Sequence, residues 1–155
     1  MNLNIPDYKK IEIDKIVFDL NGTIACDGSL IRGVKAGINS LAADFDIYIL
    51  TADTFGTAAE LLKDLKAELV IIDSSDGSKF KADFIKKLGC KNVIAVGNGN
   101  NDALMLKKAE LGIAVIGPEG TAAGALREAD LISREINDVL AILSKPKRLK
   151  ATLRK

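Results

Sequence analysis

Short apolar runs alternate along the chain with segments whose apolar residues recur every three or four positions. The apolar runs predict buried strands at 13–19, 47–50, 69–72 and 93–96. The helical spacing predicts helices at 34–43, 54–66, 80–88 and 101–109. The alternation continues through 112–116, 121–127, 131–133 and 136–143. Strands that are apolar along their whole length are buried on both faces, so this order predicts a three-layer α/β/α fold with a mainly parallel central sheet.

One unit accounts for nearly all of the chain. No repeat or linker interrupts residues 1–144, which we expect to form a single domain, followed by a basic tail at 145–155. The length of 155 residues and the hydrophobic content of 48% suit one domain with a sizeable core. Residues 23–30 predict a short flap or hairpin around Asp27 and Gly28. Right-handed crossovers place the carboxyl ends of the strands at one edge of the sheet, where ligands bind in open α/β sheets.

Composition excludes several classes of function. The chain has no histidine and no tryptophan, and aromatic residues make up 5% of it. This rules out histidine-based triads and metal sites, and it disfavours a stacking platform for single-stranded nucleic acid. No apolar run is long enough to span a bilayer, and the N-terminus has no secretory leader, so we expect no membrane association. Cys26 and Cys90 form no disulfide framework, which predicts free thiols and a cytoplasmic location.

Charge is unevenly distributed along the chain. The net charge is +1, yet outside 145–155 there are 16 basic against 21 acidic residues. A basic tail can contact nucleic acid or another anionic surface. A solvated, frayed terminus is the simpler interpretation and the one we favour.

Four polar features follow successive predicted strands. In chain order they are Asp19 with Asn21, Thr51 with Asp53, Lys79 or Lys81, and the run Gly97-Asn98-Gly99-Asn100-Asn101-Asp102. Each alone is explained by a turn, a helix entry or a surface charge. Together at one edge they suit phosphoryl transfer, in which a carboxylate attacks phosphorus and magnesium neutralises charge. A hydroxyl, backbone N–H groups and a lysine then hold the phosphoryl oxygens.

These motifs resemble the haloacid dehalogenase (HAD) superfamily of phosphohydrolases, and within it the phosphorylation domain of heavy-metal P-type ATPases. FDLNGT at 18–23 is similar to FDKTGT, and LTAD at 50–53 is similar to LTGD. KADFIKKL at 81–88 is similar to KAEIVKEL, and GNGNNDALMLKKAELGIAV at 97–115 is similar to GDGINDAPALAAADVGIAM. The resemblance runs from about 13 to 143 and implies a Rossmann-like HAD fold. With about 27 residues between Thr23 and Thr51, no sizeable cap domain is expected.

The resemblance implies a role for each motif residue. Asp19 would be the nucleophile that forms an aspartyl-phosphate, with Asn21 beside it as a catalytic position. Lys81 matches the family lysine better than Lys79. Magnesium would be the cofactor, held by Asp19, the backbone carbonyl of Asn21, Asn98 and Asp102. The phosphate would be held by Gly22, Thr51, Ala52 and Lys81, with Asp53 supporting that loop.

Two positions depart from the family pattern. The phosphatases usually carry Asp at the position of Asn21, where it acts as general acid and base, and Asn98 stands where the family has a magnesium-binding Asp. An amide side chain cannot act as a general acid or base at neutral pH, and it carries no negative charge that would attract magnesium. We therefore expect slow turnover and weakened magnesium binding.

Three functions compete. We favour a magnesium-dependent phosphatase or slow ATPase that takes a small phosphorylated substrate at an open site, which a homo-oligomer can cover. The second is a phosphate-binding or regulatory module without turnover, suggested by Asn21 and Asn98. The third, a nucleic-acid protein acting through the tail, has the least support. A module without chemistry has little need of Asp19, Thr51 and Lys81 together, which favours the hydrolase.

Overall fold

The computed structural model describes residues 1–53, 56–73 and 75–155. The strands are β1 (Asn2–Ile5), β2 (Lys9–Glu12), β3 (Lys15–Asp19), β4 (Ala25–Cys26), β5 (Ser29–Leu30), β6 (Asp46–Thr51), β7 (Glu68–Ile71), β8 (Val93–Gly97), β9 (Leu111–Val115) and β10 (Leu131–Ser133). The helices are α1 (Val34–Leu41), α2 (Ala58–Leu62), α3 (Gly77–Leu88), α4 (Ala103–Lys108), α5 (Ala123–Glu128), α6 (Ile136–Leu143) and α7 (Pro146–Leu153). Short 3-10 turns lie at Cys90–Asn92 and Asn100–Asp102.

A six-stranded parallel sheet forms the middle layer, in the order β10-β9-β8-β3-β6-β7. The predicted α/β architecture is therefore confirmed. Only α1 and the hairpin β4–β5 lie between β3 and β6, so the chain has no sizeable cap there. Because β3 lies between β8 and β6, three of the predicted motif segments end side by side at one edge of the sheet.

Alternate side chains of each central strand enter two separate cores. Ile16 and Phe18 of β3 belong to a core that includes residues of α1 and α6. Val17, between them, belongs to a second core with Ile85 of α3 and Met105 of α4. All three β3 residues are completely buried. Helices thus cover both faces of the sheet, which explains why its strands are apolar throughout.

Several boundaries differ from the sequence-based prediction. Helix α2 ends at Leu62, well before the predicted 66, and the predicted start at 54 lies outside the described residues. Helix α3 begins at Gly77 instead of 80, because the side chain of Asp76 accepts a hydrogen bond from the N–H of Lys79 and caps the first turn. The hairpin at the flap is confirmed, with positive φ at Asp27 (49°) and Gly28 (74°).

The two ends of the chain form structure that the sequence did not predict. Residues 2–12 fold into the antiparallel hairpin β1–β2, which buries Ile5 and Ile11 in the first core. The basic tail forms helix α7, which packs against α6 and β1. The expectation of a frayed terminus is therefore wrong, because Leu149 is completely buried among its basic neighbours.

None of the helices in the described ranges has the length and apolar character needed to cross a bilayer. Cys26 and Cys90 are free thiols, as the sequence predicts.

Gly112 tests the packing of helix α4 on strand β9. A Cβ at this position would lie 2.5 Å from the backbone oxygen of Leu106, so alanine cannot enter without moving the helix. We expect Gly112→Ala to lower the free energy of unfolding by about 1–3 kcal/mol, as measured by urea denaturation. Gly77→Ala is the matched control, since the nearest atom to its added Cβ is 3.9 Å away. Equal stabilities of the two variants would contradict this packing.

Candidate active site

Asp19 ends the central strand β3, at the edge of the sheet where the carboxyl ends of the strands lie. Its side chain is held on one side by Lys81, whose Nζ lies 2.5 Å from Oδ1. Only 8% of the residue is exposed. The strand pairing continues past it, because the N–H of Leu20 donates to the carbonyl of Leu50 at 3.2 Å. The predicted nucleophile is thus fixed by both its backbone and its side chain.

Lys81 links Asp19 to Asp102. It enters from helix α3, is completely buried, and has its Nζ 2.6 Å from Oδ1 of Asp102. Burial alone would lower the pKa of this lysine, but the charges of Asp19 and Asp102 outweigh burial and raise it. Lys81 therefore stays charged between two carboxylates. Lys79, the alternative on the same helix, is exposed at the surface.

Asp102 also shapes the loop that carries Asn98. Its Oδ2 accepts hydrogen bonds from the N–H of Asn98 at 3.0 Å and from that of Gly99 at 2.8 Å. Asp102 is completely buried, and in this arrangement both of its oxygens have partners. It therefore holds both Lys81 and the loop after β8, while its direct bond to magnesium stays a prediction.

Thr23 joins Asp19 to Asn98. Its Oγ1 lies 3.3 Å from Oδ2 of Asp19 and 3.1 Å from Oδ1 of Asn98. A hydroxyl has one proton, so it donates to one of these oxygens at a time. Thr23 belongs to the FDLNGT motif, but the sequence predicted no role for it. The sequence did contain an indication of its role, because Thr23 is the polar residue that ends the motif, just before the apolar residues Ile24 and Ala25.

Gly22 allows the loop after β3 to approach the loop after β8. Its φ is 76°, and a Cβ there would lie 2.4 Å from Nδ2 of Asn98. Its N–H donates to the carbonyl of Ala25 at 2.8 Å, so its predicted contact with phosphate requires that bond to open. Asn21, just before it, is exposed to the neighbouring cleft.

Thr51 ends strand β6 on the other side of Asp19 and is buried. Its Oγ1 accepts the N–H of Asp53 at 3.2 Å. Asp53 has φ of 38° and accepts the N–H groups of Thr57 and Ala58, at 2.9 and 3.0 Å, which caps α2. Asp53 thus supports the Thr51 loop, and Ala52 is exposed to the cleft.

A cleft of about 730 Å³ opens beside these residues. Its walls include Leu20 and Asn21, which follow Asp19 in the chain, and Thr51 and Ala52 at the end of β6. Four further lining residues are acidic, and none of the lining residues in the described ranges is basic. The acidic residues are Asp27, Asp53, Glu60 and Glu119.

The Asp19 carboxyl has a pKa raised to about 7. Burial is the main cause and the nearby charge of Asp102 adds to it, while Lys81 and the Thr23 hydroxyl act in the opposite direction. A cation facing this carboxylate would favour its charged form.

The donors around Asp19 suit magnesium in chemical type. Magnesium prefers carboxylate, carbonyl and amide oxygens, and Asp19, the backbone of Asn21 and Asn98 offer all three. Asp19 and Asn98 both direct an oxygen to the Thr23 hydroxyl, so they face the same point. The described residues contain no cluster of three or more acidic or cysteine side chains placed to hold a metal. These residues therefore offer magnesium suitable oxygen ligands but little negative charge.

The chain resembles known proteins in both sequence and fold. No sequence model of a protein family matches the chain. A probable copper-exporting P-type ATPase of Archaeoglobus fulgidus is 32% identical over 126 residues, which are 80% of this chain and 15% of the ATPase. The chain resembles the magnesium- and phosphate-bound 3-deoxy-D-manno-octulosonate 8-phosphate phosphatase of Moraxella catarrhalis with a TM-score of 0.66. The two are 20% identical, and the likeness covers 92% of this chain and 94% of the phosphatase. The chain belongs to the HAD superfamily.

An uncharacterized protein of Methanocaldococcus jannaschii is also similar, with 52% identity over 64 residues, 41% of this chain and 69% of that protein. The chain spans only about a sixth of the ATPases it matches. This HAD protein is therefore homologous to their phosphorylation domain, and it has the capless fold of the sugar-acid phosphatases.

A substitution at Lys81 tests the buried charge cluster that this residue forms with Asp19 and Asp102. Replacing it with methionine leaves Asp19 and Asp102 buried without their cation, so we expect Lys81→Met to cost about 3–5 kcal/mol of unfolding free energy at neutral pH. Lys86→Met on the same helix is the control, because its ion pair with Asp83 is exposed and such pairs contribute about 0–1 kcal/mol. Urea denaturation of both variants measures the difference. A loss at position 81 no larger than at 86 would contradict the cluster.

Proposed function

We propose that this protein is a magnesium-dependent phosphohydrolase that acts through an aspartyl-phosphate on Asp19. The contact between Asp19 and Lys81 carries the proposal. One carboxylate oxygen is fixed by the lysine at 2.5 Å, while the other has only the longer contact of 3.3 Å with Thr23. Lys81 thus orients the carboxylate, and the second oxygen is the freer of the two. HAD-superfamily membership supports this chemistry.

The proposed reaction has two steps. An oxygen of Asp19 attacks phosphorus, the bond to the ester oxygen breaks, and the alcohol leaves with a proton taken from water. Water then attacks the aspartyl-phosphate, which releases inorganic phosphate and restores the carboxylate. Lys81 and the Thr51 hydroxyl stabilise the negative oxygens of the transferred group. Asn21 orients the leaving group or water by hydrogen bonds, without transferring a proton.

Magnesium, when bound, supplies positive charge opposite the transferred phosphoryl group. We assign its protein ligands to Asp19, the carbonyl of Asn21 and the amide oxygen of Asn98. Asp102, predicted as a further ligand, has both oxygens bound to Lys81 and to the loop. We therefore propose that it positions these groups.

The cleft favours substrates whose leaving group carries no further negative charge. Four carboxylates line it without a basic residue in the described ranges, so a triphosphate or a sugar acid meets repulsion there. We propose a small phosphate monoester as the substrate, in preference to ATP. The cytoplasmic location and a covering homo-oligomer remain predictions.

Two residues support the alternative of a binding module. Asn21 and Asn98 remove a proton carrier and a charge from positions that the family uses for turnover. Such a module would hold phosphate against Lys81 and Thr51 without forming a covalent bond. The two functions differ in whether Asp19 becomes phosphorylated.

The first test is phosphate release from an aryl phosphate and from ATP, with magnesium and without it. We expect magnesium-dependent release that is faster for the aryl phosphate and falls to background in Asp19→Asn. Mass spectrometry of acid-quenched protein should place a phosphoryl group on Asp19. Asp64→Asn is the control, since Asp64 forms an exposed ion pair with Lys35 and should keep the wild-type rate. Equal rates in wild type and Asp19→Asn would instead support the binding module.

A second test restores the missing acid and base. Asn21→Asp places a proton carrier in the cleft, and general acid–base catalysis typically contributes about 10²–10⁴-fold. We expect kcat for the aryl phosphate to rise by about 10²-fold or more and to gain a second pH dependence besides that of Asp19. Asn21→Thr has no such proton carrier and should show no gain. A rate for Asn21→Asp at or below wild type would show that proton transfer does not limit turnover.

A further inference from the structure

Glu119 lies at the edge of the charge cluster, on the loop between β9 and α5. Its Oε2 is 2.9 Å from the position that a Cβ on Gly22 would occupy. Nδ2 of Asn98 is 2.4 Å from that same position. The Glu119 carboxylate and the Asn98 amide therefore lie beside each other, over the one residue of the FDLNGT loop that has no side chain.

Hydrogen bonds attach the loop that carries Glu119 to both the side chain and the backbone of Asn98. Nδ2 of Asn98 donates to the carbonyl of Gly120 at 3.1 Å, and the N–H of Ala122 donates to the carbonyl of Asn98 at 2.9 Å. Thr121 between them is held by a hydrogen bond from Oγ1 to the carbonyl of Val115 at 2.6 Å. Glu119 is thus positioned by the same residue that lacks the family's negative charge.

The charge of the site makes this placement significant. Asp19, Asp102 and Lys81 together carry one net negative charge, and Asn98 adds none. Magnesium binds more tightly as anionic oxygens are added, and it keeps several waters that can bridge to a nearby carboxylate. Glu119 is exposed, so its carboxylate is open to such water.

The other acids of the cleft are placed differently. Asp53 has its carboxylate occupied in capping α2, and Glu60 lies on α2 itself. Asp27 lies in the turn of the flap, where it accepts a hydrogen bond from Cys26 at 3.7 Å, and Glu119 also interacts with that thiol. Among the four acids, Glu119 is the one whose carboxylate is among the three atoms nearest to the Cβ position of Gly22.

We propose that Glu119 supplies the negative charge that Asn98 lacks, and holds magnesium directly or through one bound water. This inference rests on the proposed function, because it concerns the same magnesium. It assigns a metal-binding role to a residue 21 positions beyond the family's acidic position. It also makes the loop after β9 part of the active site.

The test measures metal binding without substrate. Mg²⁺ is titrated into metal-free protein by calorimetry, and Mn²⁺ is followed by electron paramagnetic resonance. We expect Glu119→Gln to weaken Mg²⁺ affinity by about tenfold or more, as loss of a supporting partner typically does at metal sites. Glu60→Gln is the matched control and should bind as wild type does. Asn98→Asp in the Glu119→Gln protein should restore the affinity, because it returns the charge at the neighbouring position.

The outcomes separate this inference from the proposed function. Wild type that binds Mg²⁺ and Glu119→Gln that binds equally well would overturn the role of Glu119 and leave the phosphohydrolase intact. Wild type that binds no Mg²⁺ and shows no magnesium-dependent phosphate release would overturn both. Thermal melting in a chelator controls for folding, since an exposed carboxylate should leave the metal-free Tm unchanged.

Discussion

The arrangement of the site depends on one buried cation. Lys81 is completely enclosed, and a charged ammonium is stable there only because two carboxylates and their hydrogen bonds compensate for its lost hydration. That requirement fixes Asp19 at the end of β3 and Asp102 at the start of α4. It also means that the proposed nucleophile, Asp19, is oriented before any substrate arrives, which is how a polar site avoids reorganisation during reaction.

The parallel sheet makes this meeting possible. Lys81 lies 62 positions from Asp19 and 21 from Asp102 along the chain. Crossovers between parallel strands bring β3, β6 and β8 side by side, so each connecting segment returns its polar residues to the same edge. The two apolar cores on either face hold the strands in register, and the cluster rests on that frame.

The motifs predicted much of the site because they lie where local pattern and topology agree. The approach of a lysine to Asp19 follows from residues at strand and helix ends, whereas the preference for Lys81 over Lys79 came from the resemblance of KADFIKKL to the family motif. The sequence did not predict a role for Glu119, because only the folded loop after β9 brings this residue next to Asn98. Its signal was its place just after the predicted strand at 112–116.

The chain ends could not be predicted for a related reason. Residues 146–153 hold one buried leucine among basic residues, too weak a period to indicate a packed helix. Its stability comes from contact with α6 and with β1, a strand at the opposite end of the sequence. Helix α2 is shorter than its sequence predicts. The helical spacing of apolar residues continues past Leu62, but the helix ends there and the chain goes on to β7.

The site divides into a buried part and an exposed part with different chemical tasks. Asp19, Lys81, Asp102 and Thr51 are enclosed, and in the proposed function they serve the attack on a phosphoryl group. Asn21 and Glu119 are exposed on loops, where substitutions cost little stability. In the proposed function, changes at these loop positions tune proton transfer and metal affinity while the buried cluster stays the same. A chain with amides at positions 21 and 98 would then keep the means of forming an aspartyl-phosphate, while the exposed loops govern how fast that intermediate is resolved.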